Sequence, residues 1–142
     1  MLKHISPLIS PELLKVLMEM GHGDEIVLAD GNFPATSHTS TCVRADGLNI
    51  PQILHAIVQL LPLDQYVEQP VALMMHGPEI NRPEIWTEYE SIILQDHPSF
   101  KPMLLDRFAF YERAKKAYAI VATSERQLYA NIILKKGVIV LE

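Results

Sequence analysis

The sequence predicts a three-layer α/β fold, and two observations carry that expectation. Helical patterns alternate with short, continuous apolar runs, as strands buried on both faces of a sheet require. The chain has 142 residues, one domain's length, and is 49% hydrophobic against 20% charged, enough for a sizeable core.

The elements follow in order. Ser10 is placed to cap a first helix, with Pro11 at its first position and Glu12 in its first turn. Leu13, Leu14, Leu17 and Met18 form its apolar face, Val16 and Met20 broaden it, and Gly21 is the expected stop. Ile26-Val27-Leu28-Ala29 is a short unbroken apolar run and reads as a buried strand. Residues 32–41 are polar, contain Pro34 and read as a loop. Cys42-Val43-Arg44 is a short strand. Asn49 caps a helix over about 50–61, with Pro51 in its first turn and Ile53, Ile57, Leu60 and Leu61 inward. The stretch 62–70 is a long loop, and 71–75 the next apolar run. Residues 82–95 suit a helix capped at Asn81, with Pro83 in its first turn and Ile85, Tyr89, Ile92 and Ile93 on one face. A weak strand is expected at 103–105, a helix over 107–116, a strand over 117–122, and a last strand over 129–135 ended by Gly137. No repeat or low-complexity tract interrupts this order.

Composition excludes several classes of function. Twelve Lys and Arg against seventeen Asp and Glu give a net charge of −5, which argues against a nucleic-acid surface. Cys42 is the single cysteine, so no internal disulfide forms and a reducing compartment is expected. Lys3, His4, Pro7 and Pro11 break any signal-peptide core. No apolar stretch approaches the roughly 18 residues of a membrane span. The expected setting is the cytoplasm, away from membranes.

The most informative short motif is Gly21-His22-Gly23-Asp24, six residues before Asp30. A histidine between glycines has no bulky neighbour to bury it, and imidazole exchanges protons near neutral pH. The strand between them is expected to leave His22 and Asp30 on loops around one end of the sheet, where open α/β folds keep their sites. The plainer alternatives are a surface histidine and an aspartate that starts a turn before Gly31. Six scattered histidines, His4, His22, His38, His55, His76 and His97, include no His-x-x-x-His pair, so separate histidines are expected rather than a zinc site. Neither Gly-x-Gly-x-x-Gly nor Gly-x-Ser-x-Gly occurs, which counts against dinucleotide binding and the α/β-hydrolase elbow. Cys42 reads as a buried cysteine before it reads as a nucleophile. In residues 107–113, Glu112 and Arg113 read as solvated charges, whereas Arg107 opens a helix after a strand and faces the ligand end. Tyr129 and Asn131 alternate, so in a strand they share one side, where a phenol and an amide suit sugar hydroxyls; an ordinary edge strand is the plainer reading and the one these residues alone favour.

These residues carry a resemblance. The chain resembles the RbsD/FucU family of sugar mutarotases, and its L-fucose branch most. The matching segments are Leu-Lys-x-Ile-Ser-Pro-Leu-Ile-Ser-Pro-Glu-Leu-Leu at 2–14, Met-Gly-His-Gly-Asp-Glu-Ile at 20–26, Asn-Phe-Pro-Ala at 32–35 and Val-Arg-Ala-Asp-Gly-Leu at 43–48. Arg-Phe-Ala-Phe-Tyr-Glu-Arg-Ala at 107–114 and Tyr-x-Asn-x-x-Leu-Lys-Lys-Gly at 129–137 complete the match. Segment 74–102, with Trp86 and His97, has no matching motif. The resemblance implies a single α/β/α domain over 1–142 with a mixed, mostly parallel sheet. It implies His22 as proton donor, with Asp30, Arg107, Tyr129 and Asn131 binding the sugar. It further implies a homo-oligomer, a decamer of two stacked pentamers, with sites near subunit contacts. Mutarotation opens and recloses a hemiacetal with protons in balance, so no cofactor or metal is expected. Two other readings stay open: a D-ribose pyranase, and a non-catalytic sugar-binding accessory protein. A metal-dependent enzyme is a third class, for which chelation would abolish activity.

Overall fold

A computed structural model describes residues 1–75, 77 and 82–141. Its elements are α1 (Pro11–Glu19), β1 (Glu25–Ala29), α2 (Ala35–His38), β2 (Cys42–Ala45), α3 (Ile50–Val58), β3 (Val71–Met74), α4 (Glu84–Ile93), β4 (Met103–Leu105), α5 (Arg107–Lys116), β5 (Ala119–Thr123) and β6 (Ile132–Lys135). The strands form one sheet in the order β2-β5-β1-β6-β3-β4. Strand β5 runs parallel to β1 and β2, and β3 runs parallel to β4. Strand β6 is antiparallel to both of its neighbours, β1 and β3. The sheet is therefore mixed and mostly parallel, as the family resemblance implies.

Period-two alternation along the buried strands builds two cores. In β1, Ile26 and Leu28 face one cluster with Leu13 and Leu17 of α1, Ile53 and Ile57 of α3, and Ile85 and Tyr89 of α4. Val27 and Ala29 face the other, with Ala35 of α2 and Phe110 and Ala114 of α5. Helices thus cover both faces. Among the described residues no helix is long and apolar enough to cross a membrane.

Several boundaries differ from the sequence expectation. The buried stripe of α1 is Leu13, Val16, Leu17 and Met20, a spacing of three, one and three residues, whereas Met18 is 80% exposed. Ser10 caps this helix as expected, its Oγ accepting from the Leu13 N–H at 3.1 Å. The helix stops because Met20 turns extended, so Gly21 supplies no left-handed cap. Residues 35–38 form the short helix α2 inside the expected loop. Helix α3 ends at Val58, and its start is a full capping box between Asn49 and Gln52. Helix α4 begins at Glu84 after Pro83, and the expected cap Asn81 lies outside the described residues. Strand β6 begins at Ile132, because Tyr129 takes the left-handed conformation (φ 58°) and breaks the extended run.

The chain just beyond β6 approaches the 62–65 loop closely. The Gly137 N–H donates to the Pro62 carbonyl at 2.8 Å. A Cβ at Gly137 would stand 2.6 Å from the Leu63 carbonyl oxygen and 2.8 Å from the Asp64 Cα. Backbone cannot yield as a flexible side chain can. Gly137→Ala is expected to cost about 1–3 kcal/mol of unfolding free energy, as other overpacked sites do. Urea denaturation of both proteins measures it, and an unchanged midpoint would mean that the 62–65 loop yields freely.

Candidate functional site

The carboxyl ends of β1, β3 and β4 meet the start of β6 at one end of the sheet. A pocket of about 190 Å³ opens there, lined by Asp30, Asn32, Phe33, Met74, Tyr111, Leu128, Tyr129 and Asn131. It is smaller than the roughly 300–1,000 Å³ typical of ligand pockets, and suits a compact polar molecule. Asp30 is 8% exposed and Asn131 is 5% exposed. The Asp30 N–H donates to Asn131 Oδ1 at 2.7 Å, and Asp30 Oδ1 accepts from the Asn32 N–H at 2.9 Å. Burial raises the Asp30 pKa above the usual carboxylate value; hydrogen bonds from Asn32, Phe33 and Asn131 offset that only in part.

Helix α4, itself outside the lining, braces the wall that Tyr129 and Asn131 form. Trp86 Nε1 donates to the Tyr129 carbonyl at 2.9 Å, and the buried Tyr89 hydroxyl donates to the Ala130 carbonyl at 2.6 Å. These two bonds fix the left-handed turn that aims Tyr129 and Asn131 into the pocket. Tyr129 and Asn131 share the pocket, but through this turn and not through strand alternation. On the opposite wall, Tyr111 makes edge contacts with Phe33 (5.3 Å) and His38 (5.2 Å).

His22 lies elsewhere. It precedes β1, whereas Asp30 follows it, so the two sit at opposite ends of the sheet. The expectation of one shared end is corrected: five residues of straight strand separate them by about 17 Å. The imidazole is 46% exposed, and its Nε2 stands 3.0 Å from Oδ1 of Asp64, a carboxylate that is 4% exposed. The same Oδ1 accepts the Tyr66 N–H at 3.0 Å. Burial works against the Asp64 charge, but the Tyr66 N–H and His22 outweigh it, and the carboxyl is held below its usual range. An ionised Asp64 accepts from Nε2–H, which fixes the tautomer and leaves Nδ1 as the proton acceptor.

Arg107 opens α5 at the pocket end, but its guanidinium lies over the Phe108 ring at 5.1 Å and outside the pocket lining. Arg113 is not a solvated charge: it grips Glu25 with Nε 3.0 Å from both carboxylate oxygens, tying α5 to β1. Cys42 is half-buried and reduced. Sequence reading missed Asp64, Tyr111, Trp86 and Tyr89. Asp64 sits in a featureless loop 42 residues from its partner. Tyr111 had a signal, since it lies one turn after Arg107 on a helix already aimed at the site.

Comparison with known proteins finds relatives over nearly the whole chain. Residues 3–139 match the model of the RbsD / FucU transport protein family. The chain is 56% identical to the fucose mutarotase of Mus musculus, over 96% of this chain and 94% of that protein. It is 53% identical to the fucose mutarotase of Homo sapiens, over 99% of this chain and 96% of that one. A crystal structure of the fucose mutarotase from Streptococcus pneumoniae in complex with L-fucose superposes with a TM-score of 0.93 at 54% identity, covering 98% of this chain and all of that chain.

The Asp64 carboxylate allows a test independent of these likenesses. Because folding lowers its pKa, the unfolded chain takes up the proton first as the pH falls. Its stabilisation is complete above about pH 4 and drains away as the pH drops through the lower folded-state value. Asp30 runs the other way, since its raised pKa makes ionisation oppose folding above about pH 4. Asp64→Asn is therefore expected to flatten the loss of stability at acid pH, read by urea unfolding at several pH values. A slope equal to that of the parent chain would mean that Asp64 is not held ionised by the fold.

Proposed function

The chain belongs to the RbsD/FucU family, and from that premise we propose that it is an L-fucose mutarotase, an isomerase that interconverts the α and β anomers of L-fucose. The observation that carries the chemistry is His22, held by a buried carboxylate with one ring nitrogen left free. The likeness to three fucose mutarotases supplies the substrate. A non-catalytic sugar binder has no use for an imidazole oriented in this way.

Mutarotation needs one proton removed from the anomeric hydroxyl O1 and one delivered to the ring oxygen O5 as the C1–O5 bond breaks. O1 and O5 are both bonded to C1, so one imidazole nitrogen reaches each in turn. The open aldehyde rotates about C1–C2 and the transfers reverse, restoring every proton. Asp30 and Asn131, with the Tyr129 side chain, hold the sugar hydroxyls. Arg107 is assigned to the pocket rim, since swinging off Phe108 would bring its donors to a bound sugar.

The residues fall into two halves at opposite ends of β1, so one chain's His22 serves another chain's pocket. This reading makes the enzyme a homo-oligomer, and head-to-tail contacts of this kind close into rings. The family resemblance favours a decamer of two stacked pentamers as its size. The catalytic domain spans residues 1–142. The single cysteine supports a cytoplasmic location.

Saturation-transfer NMR of L-fucose tests the activity. The protein is expected to accelerate anomer exchange, and His22→Ala to lose about 10²–10⁴-fold of that acceleration. No acceleration by the parent protein would overturn the function.

A second test addresses the shared site. His22→Ala and Asp30→Asn are each expected to be inactive alone. Co-refolded in equal amounts, they are expected to regain activity at about a quarter of the contacts, where the intact halves meet. Persistent inactivity of well-assembled mixtures would place both halves of the site within one chain.

A further inference from the structure

Tyr66 is an exposed aromatic ring that the mechanism does not use. It is 68% exposed, yet it is not loosely placed. Its N–H donates to the same Asp64 oxygen that orients His22, so one carboxylate holds the Tyr66 backbone and the His22 imidazole. Its ring centroid stands 5.6 Å from that of His22, tilted by 55°. The loop that carries it is braced on both sides: the Asp64 N–H donates to the Lys135 carbonyl, and Gln65 Nε2 donates to the Val138 carbonyl. A large apolar surface held beside a proton-transfer group asks for an apolar partner on the substrate.

The chemistry of a pyranose names that partner. The ring oxygen O5 joins C1 to C5, and in L-fucose C5 carries the methyl group C6. A group that delivers a proton to O5 therefore works two bonds from C6. A side chain that flanks His22 is therefore within reach of that methyl. We propose that Tyr66 is the specificity residue for the 6-deoxy position: its ring packs on the C6 methyl of the sugar that His22 opens. This assignment rests on the proposed mutarotase activity. It deepens that reading by naming the residue that separates a 6-deoxyhexose from a sugar with a hydroxymethyl group, or with nothing, at C5.

Three sugars isolate the effect, because they share ring stereochemistry. L-fucose carries a methyl at C5, L-galactose a hydroxymethyl, and D-arabinose in its pyranose form only hydrogen. Exchange catalysed by the parent protein, Tyr66→Phe and Tyr66→Ala is measured by saturation-transfer NMR on each sugar. The parent is expected to prefer L-fucose to both others. Tyr66→Ala is expected to lower kcat/KM for L-fucose about tenfold or more, the usual scale for one lost apolar contact, with D-arabinose changed far less. Tyr66→Phe is expected to keep the preference, since the ring and not the hydroxyl makes the contact. An equal fall on L-fucose and D-arabinose in Tyr66→Ala would overturn the proposal, assigning Tyr66 to holding His22. No change on any sugar would overturn it as well, while leaving the activity intact. Absence of exchange by the parent protein on all three sugars would overturn the mutarotase reading and this assignment together.

Discussion

One antiparallel strand holds the two ends of this molecule in register. Strand β6 runs between β1 and β3 against the direction of both. Its entry delivers Tyr129, Ala130 and Asn131 to the carboxyl end of β1, where Asn131 takes the Asp30 N–H. Its exit delivers residues 135–137 to the amino end. There the Lys136 carbonyl accepts from Gly23, the Lys136 N–H donates to Asp24, and the Lys135 carbonyl accepts from Asp64. The loops that carry His22 and Asp64 are thus tied to the strand that positions Asn131 in the pocket beside Asp30. Ile132, Ile133 and Leu134 are wholly buried, so this strand cannot slip without exposing both cores. A parallel strand in the same place would need a crossover connection to reach both ends.

The two buried carboxylates of the candidate site answer to opposite environments. Asp64 is completed within its own chain: an N–H and an imidazole share one oxygen, and its charge is favoured in spite of burial. Asp30 is not completed. Its neighbours offer less than burial removes, and its charge is disfavoured. A ligand hydroxyl donating to Asp30 supplies what the fold leaves out, so binding and ionisation of Asp30 reinforce each other. Asp64 needs no ligand and works by fixing His22. Two buried aspartates therefore sit in opposite electrostatic settings: burial and the Glu125 charge prevail at Asp30, whereas the Tyr66 N–H and the His22 and Lys135 charges prevail at Asp64.

Local signals were legible where they are self-contained. The cap at Asn49 starts α3 where the sequence predicts, and α5 spans the expected residues 107–116, its start capped in the structure by Asp106. The buried run of β1 is equally plain. Long-range relations were not legible. His22 and Asp30 are eight residues apart, which reads as proximity until the intervening segment is known to be straight. Asp64 has no local pattern, because its partner comes from another loop. The turn at Tyr129 reads as strand from alternation alone, whereas the bonds from Trp86 and Tyr89 brace it in the left-handed conformation. Those two residues lie in the segment without a recognisable family motif, where their role as braces depends on the tertiary fold.

A site divided between the ends of a strand has a physical rationale. Enzymes that act on small sugars must exclude water from the reacting centre, and many do so with a moving lid. Here each half is already rigid: Asp30 and Asn131 are buried on the sheet, and His22 is pinned to a buried carboxylate on a loop braced by β6. On the proposed shared site, a second copy's His22 closes the open, shallow pocket without any segment having to order itself. The ordering cost is then met once, at assembly, and not at each turnover. Exposed apolar side chains stand near both halves, with Leu128 and Phe108 at the pocket end and Tyr66 and Val67 at the histidine end. Two different patches that fit each other make a head-to-tail contact, and such a contact closes into a ring when its rotation allows. In that arrangement oligomerisation is the step that completes the active site, and the length of β1 sets how far apart its two parts must be held.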